Sequence, residues 1–245
     1  MVGGSASHHR EVASSVSKTM FEIRERSDGV PAELVEAYRS VAPATLGHLI
    51  DGSAMDPRIK PVCPGSVAVG PALTIWSPDR DSTACHKAID LVEPGDVLVI
   101  ARDGADGYAC WGEMMTLAAK LRGAAAVIVD GPITDVQALR ELGLPVFARG
   151  ATALTTQLLG ERGGVNVPVV CGGVEVSPGD LILADEDGVL VLGPDLAASL
   201  LPAAREEETA DAEYRRELLA GRLPSELAGI DDLIRRADGD DREPR

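Results

Sequence analysis

The chain has 245 residues, 45% of them hydrophobic and 25% charged, the balance of a globular protein long enough to bury a core without disulfide or metal staples. It carries 39 acidic and 23 basic residues, a formal net charge of −16. A field of that sign repels phosphate backbones, which argues against a nucleic-acid partner, and it gives an anionic substrate no long-range attraction, so an acid would need a local site. No apolar run reaches the roughly 18 residues that span a bilayer, and the first fifteen residues hold no apolar signal region, so a cytoplasmic protein without membrane contact is expected.

Residues 1–10 read as a loose tail rich in Gly, Ser and His. Residues 11–26 have helical periodicity, with Val12, Val16, Met20 and Ile23 on one face. A second helix is expected over 31–39, opened by Pro31, whose missing N–H costs nothing there. A third covers 43–50. Seven apolar runs bounded by turn chemistry then read as strands: 67–76, 96–101, 125–129, 145–148, 165–171, 180–184 and 188–192. Between them, 112–122 reads as a helix with Met115, Leu117, Ala118 and Leu121 on its apolar face and Gly123 as its stop. Thr134–Leu142 is another, stopped by Gly143. The segments EPGDVLVI (93–100) and SPGDLILA (177–184) echo one another and predict two similarly placed strands. From Asp195 onward the chain is a long, polar, acidic helical region. The expected organisation is a tail (1–10), one α/β domain with N-terminal helices (11–194) and a C-terminal helical extension (195–245).

Cys63, Cys85, Cys110 and Cys171 are widely spaced with no CxxC pair, and are expected to be reduced and mostly buried. His48 and His86, the histidines outside the tail, are too few for a histidine-rich zinc site. The segment 111–135, WGEMMTLAAKLRGAAAVIVDGPITD, is the most informative. A helix starting near Gly112 leaves the amides of Glu113, Met114 and Met115 without intrahelical partners at the positive end of the dipole, ready for a carboxylate or phosphate. After the strand, Thr134-Asp135-Val136-Gln137 fits a T-x-x-Q capping box with Thr134 as N-cap. Asp135 is alternatively a hard oxygen ligand for Mg²⁺. Arg102 follows the strand over 96–101, on the loop before the 112 helix, and is a candidate to face the Asp135 pocket. Glu113 is a candidate base, Arg149 reads as a structural or interface arginine, and His86 and Lys87 as packing or surface residues.

These segments, with LRELGLPVFARG, VNVPVVCGGVEVSPGDLILADEDGVLVL, AMDPRIKPV and HKAID, together resemble the RraA-like family over roughly residues 40–220. That family includes class II 4-hydroxy-4-methyl-2-oxoglutarate and 4-carboxy-4-hydroxy-2-oxoadipate aldolases as well as ribonuclease inhibitors. The resemblance implies a layered α/β/β fold of the swivelling-domain type, a trimer or hexamer, and a site at the subunit interface. It implies that amides of Gly112, Glu113, Met114 and Met115 hold a small oxo acid and that Asp135 anchors Mg²⁺ or Mn²⁺. The family's Arg is Thr134 here, and the acidic residue three after the Asp is Ala138. The expected function is therefore a metal-assisted lyase acting on a 2-oxo or hydroxy acid, by retro-aldol cleavage or decarboxylation. Asp135, Thr134, Arg102 and Glu113 would be at its centre, with Arg102 standing in for the missing guanidinium. A retuned isomerase or dehydratase and a non-catalytic interaction protein remain the alternatives.

Overall fold

The computed structural model describes residues 21–26, 28–104 and 106–237. In chain order the elements are β1 (Phe21–Ile23), α1 (Ala32–Tyr38), α2 (Pro43–Gly47), β2 (Lys60–Pro61), β3 (Ala68–Pro78) and α3 (Thr83–Ala88). Then come β4 (Val97–Asp103), α4 (Glu113–Leu121), β5 (Ala126–Ile133), α5 (Val136–Leu142), β6 (Val146–Ala151), β7 (Gly163–Val165), β8 (Val169–Cys171) and β9 (Val174–Val176). The chain closes with β10 (Leu181–Ala184), β11 (Val189–Leu192), α6 (Pro194–Leu219), α7 (Pro224–Leu227) and α8 (Ile230–Ala237). No helix among the described residues is long and apolar enough to cross a membrane.

Strand alternation builds the layers. β3, β4, β5 and β6 are parallel neighbours. Leu73, Ile75, Leu98, Ile100, Val127 and Val129 point to one face and form a core with α3, α4 and α5. The intervening Ala72, Val97, Val99, Ala101, Ala126 and Ile128 point to the other and meet β8, β10 and β11. Because both faces are covered, these strands read as continuous apolar runs rather than alternating ones. A third core lies beyond β10 and β11, where Leu181, Leu183, Leu190 and Leu192 pack on Tyr38, Leu46, Ala197 and Ala204 of α1, α2 and α6. The result is the expected layered α/β fold.

β3 joins the layers. Its first residues pair antiparallel with β10 and its remaining residues parallel with β4. The two PGD turns deliver those partners in the same way: Asp96 accepts the amide of Glu93 at 2.8 Å and Asp180 that of Ser177 at 2.7 Å. At the changeover a Cβ on Gly70 would lie 2.2 Å from the Gly95 carbonyl oxygen, so only glycine lets the turn before β4 come this close.

Three expectations need correction. Residues 11–20 lie outside the described residues, but 21–23 form a strand, not the end of a helix, because they pair in parallel with β7. Residues 165–171 are not one strand: Asn166 turns left-handed (φ 55°) and Pro168 offers no N–H, so β7 and β8 separate. On α4 the inward residues are Met115, Thr116 and Ala119, while Leu117 and Leu121 are exposed together with Met114. The acidic run at the start of the extension is also more than a solvated face. Glu208 accepts the Ala42 amide at 3.0 Å and the Thr45 hydroxyl at 2.6 Å, capping α2 from another element.

A candidate active-site crevice

A crevice of about 200 Å³ opens where α4 and α5 start, beyond the ends of parallel strands, the usual place for a ligand in an open α/β sheet. Its α4 wall is rigid. The fully buried Trp111 donates its indole N–H to the Thr116 hydroxyl, which donates in turn to the Gly112 carbonyl, both at 2.8 Å. The opposite wall is Thr155 and Thr156, held by hydrogen bonds between Ala109 and the backbone of Leu154 and Thr156.

Asp135 stands at the centre. It precedes α5 in a left-handed backbone conformation (φ 58°, ψ 37°), a setting that non-glycine residues adopt sparingly and mostly near functional sites. Its carboxylate turns away from its own helix and accepts the Glu113 amide at 3.0 Å, capping α4 instead. The expected capping box is therefore absent. Thr134 is not the N-cap: its amide binds the Trp111 carbonyl at 3.0 Å and its hydroxyl sits 3.3 Å from Asp135 Oδ1. Gly112 makes the approach possible, since a Cβ there would fall 2.5 Å from Asp135 Oδ2 and 2.6 Å from Thr134 Cγ2.

Of the expected binding amides, that of Glu113 is thus already engaged. Met114 and Met115 precede Thr116, the first residue of α4 to donate back to Gly112, and their amides face the crevice end of the helix. Arg102 does not reach the crevice. Its guanidinium donates to the Asp79 carbonyl at 2.7 Å and its stem packs by Gly131, on the inner side of Cys110. The crevice among the described residues is lined by no Lys or Arg; His86 is its one basic side chain, and it sits exposed on α3. His86 opens the HKAID segment but reads there as a packing or surface residue, and only the tertiary fold brings it to the crevice.

Asp135 fits a divalent cation in one mode only. No group of three or more His, Cys, Asp or Glu gathers as a metal cage among the described residues. A single exposed carboxylate with unused lone pairs suits Mg²⁺, which keeps several waters and takes one or two carboxylates plus substrate oxygens.

Arg149, as expected, is structural: it lies between Asp56 (2.8 Å) and Asp130, and Asp130 also accepts the Gly172 amide at 2.7 Å. A larger, mainly apolar groove of about 660 Å³ between α2 and the start of β11 holds Asp56 but none of the residues at the starts of α4 and α5.

Asp81 was not singled out by any sequence pattern, yet it fastens the loop that carries Thr155 and Thr156. Only 2% exposed, it accepts the Thr83 amide and hydroxyl and the amides of Leu159, Glu161 and Arg162 at 2.6–3.2 Å. Burial alone would raise its pKa; those hydrogen bonds outweigh burial and bring it down to about 2. Its stabilising effect is then full above the unfolded value of about 4 and is lost as the pH falls toward the folded one. Asp81→Asn, whose amide turns a donor toward these N–H groups, should cost about 2 kcal/mol at neutral pH. Urea midpoints at pH 7 and pH 3 should converge between wild type and variant; a constant gap would refute this role.

The comparisons agree with this architecture. The RraA-like family model described as Aldolase/RraA matches residues 32–191. A Halalkalibacterium halodurans protein named "Putative 4-hydroxy-4-methyl-2-oxoglutarate aldolase" is 33% identical over 203 residues, 82% of this chain and 96% of that protein. A Thermus thermophilus 4-hydroxy-4-methyl-2-oxoglutarate aldolase is 36% identical over 113 residues, 46% of this chain and 68% of that one. Among solved structures, Streptomyces coelicolor RraAS2, described as an unusual member of the RNase ES inhibitor RraA protein family, superposes with a TM-score of 0.70 at 32% identity, covering 77% of this chain and 99% of its own. The names of these relatives make aldolase-like lyase chemistry an activity of the family. With its layers, its glycine-backed helix start and its family match in agreement, the chain belongs to the RraA-like, Aldolase/RraA family.

Proposed function

We propose that this protein is a lyase that cleaves a small 2-oxo or hydroxy carboxylic acid, by retro-aldol cleavage or decarboxylation, in the crevice organised by Asp135. The observation that carries the reading is the Asp135 carboxylate held across the start of α4 in a left-handed backbone, in the crevice that Met114 and Met115 also line. Aldolase-named relatives support it.

Asp135, with water and substrate oxygens, would hold Mg²⁺ or Mn²⁺; when bound, such a cation polarises an oxo group and stabilises negative charge developing next to it. The chain's own residues do the rest. The amides of Met114 and Met115, at the positive end of α4, bind the substrate carboxylate. Gly112 keeps the wall free of a side chain so that the acid reaches them. The Glu113 carboxylate, next along α4, moves the proton, and its backbone is fixed by Asp135. Thr134 can position a group by hydrogen bonding but brings no charge.

Self-association accompanies this reading. Met114 (64% exposed) in the crevice, Leu121 (78%) at the far end of α4, and Leu154 and Leu158 on either side of Thr155 and Thr156 leave apolar side chains exposed, support for a trimer or hexamer with the site at the interface. Release of pyruvate or carbon dioxide from a panel of 2-oxo acids tests the function. Turnover is expected with Mg²⁺ or Mn²⁺ and should vanish with EDTA. Turnover indifferent to chelation would remove the metal, and no release from any acid would remove the lyase.

The lack of Arg and Lys among the described residues of the crevice favours a second reading, a non-catalytic interaction protein like the inhibitors in the family. Retention of the chain on an immobilised Arg-rich ribonuclease segment, without oxo-acid turnover, would select it.

A further inference from the structure

Two cysteines meet in the wall of the crevice, and the proposed lyase chemistry uses neither. Cys85 sits on α3 and Cys110 just before Gly112; both are buried, and Cys110 lines the crevice. Their thiols are within hydrogen-bonding reach of each other. Behind them lies Arg102. Its Nη2 donates to the Asp79 carbonyl at 2.7 Å, but its Nη1 is the one buried side-chain nitrogen or oxygen among the described residues with no hydrogen-bond partner. An unsatisfied buried cationic donor is costly, and negative charge on the Cys110 sulfur would satisfy it.

The pair is asymmetric for that reason. The Cys85 thiol, acting as donor, favours the Cys110 thiolate, burial opposes it, and the Arg102 charge adds to the favourable side, so that the Cys110 pKa is drawn below the ordinary thiol value. Cys85 is pushed well upward by its hydrogen bond to Cys110 and by burial. His86, Glu113 and Asp135 are the other ionisable groups of the crevice. A thiolate beside a guanidinium, open to a small crevice and backed by a second thiol, is the setting of an oxidation-sensitive cysteine.

The geometry points to a peroxide-sensitive dithiol: Cys110 reacts first with a small hydroperoxide, and Cys85 closes an intrachain disulfide. With hydrogen peroxide, the Cys110 sulfur attacks one oxygen, the S–O bond forms and the O–O bond breaks. The departing hydroxide takes a proton and leaves as water. The Cys85 sulfur, giving up its proton, then attacks the sulfenic sulfur; the S–S bond forms, the S–O bond breaks, and a second water leaves. Two thiols are oxidised and one peroxide is reduced. Cys63 is the least buried of the four, so exposure by itself would make Cys63 the first target.

The test uses the full chain treated with limiting hydrogen peroxide and mapped by mass spectrometry without reduction. A Cys85–Cys110 linkage is expected while Cys63 and Cys171 stay reduced. In Cys85→Ser, Cys110 should carry a sulfenic acid that dimedone traps; in Cys110→Ser, Cys85 should remain unmodified. Should either variant misfold, the wild type still decides, because iodoacetamide at neutral pH should consume Cys110 ahead of Cys63. Oxidation or alkylation of Cys63 with Cys110 intact would overturn the proposal. These readouts are covalent, so they stand or fall independently of lyase turnover.

Discussion

Asp135→Asn should lower lyase turnover by about 10²–10³-fold, the usual cost of removing one group that stabilises developing charge, and should leave the fold in place. The reason lies in how the carboxylate is used. One oxygen accepts the Glu113 amide, a task that the asparagine carbonyl can continue, so α4 stays capped. Asparagine also tolerates the left-handed backbone at this position. What disappears is the charge, and with it the anchor proposed for a cation. The variant should therefore melt like the wild type while its Mg²⁺ affinity, measured by calorimetry, and its kcat both fall. Equal kcat in the two proteins would show that Asp135 only caps a helix. A large loss of thermal stability would show that its structural work had been underestimated.

The largest stability effect is expected at Arg26. Its guanidinium grips the side chain of Asp96, which has no solvent exposure, through two hydrogen bonds of 2.8 and 2.6 Å, and lies 3.4 Å from Glu93. Hydrogen bonding to Asp96 raises the arginine pKa against the effect of burial, so the guanidinium keeps its charge. Arg26→Ala would strand a buried carboxylate at the turn that feeds β4 and should cost about 3–5 kcal/mol. Removing both charges together, as Arg26→Leu with Asp96→Leu, should cost less than the single change, because no uncompensated charge is left. Denaturant midpoints for the two variants test this; a double variant weaker than Arg26→Ala would contradict it.

Periodicity and turn chemistry found the parallel strands and the α4 and α5 helices because these carry both their stop signals and their apolar content locally. Gly123 and Gly143 follow α4 and α5 in left-handed conformations, as their places in the sequence imply. The echo of the two PGD segments was legible for the same reason: four consecutive residues contain the whole turn. Periodicity failed at Phe21–Ile23, where pairing with β7 supplies hydrogen bonds that no local pattern announces. It failed again on α4, because a helix shows which residues are apolar but not which neighbour will cover them.

The site divides along the same line. Gly112, Glu113, Thr134 and Asp135 stand out in the sequence, since a glycine before one helix and an acidic turn before another are local features. Which helix Asp135 serves is not local. The T-x-x-Q pattern suggests its own, and the fold assigns it to the neighbouring one, because β4 and β5 are adjacent and the helix starts that follow them meet. Arg102 illustrates the converse: a strand-end arginine looked suited to the crevice, but packing by Gly131 turns it beneath Cys110.

By itself the sequence determined the parallel strands and the α4 and α5 helices, which follow from residue type and short-range spacing, and its resemblance to a known family carried the layered α/β class. The tertiary structure alone decided the partner of the Asp135 carboxylate, the absence of a Lys or Arg among the described residues that line the crevice, the hydrogen bonds of Asp81 and the meeting of Cys85 with Cys110. Each of these joins residues far apart in the chain, and such contacts are set by which strands pair and which faces are buried, a choice made by the packing of the whole domain.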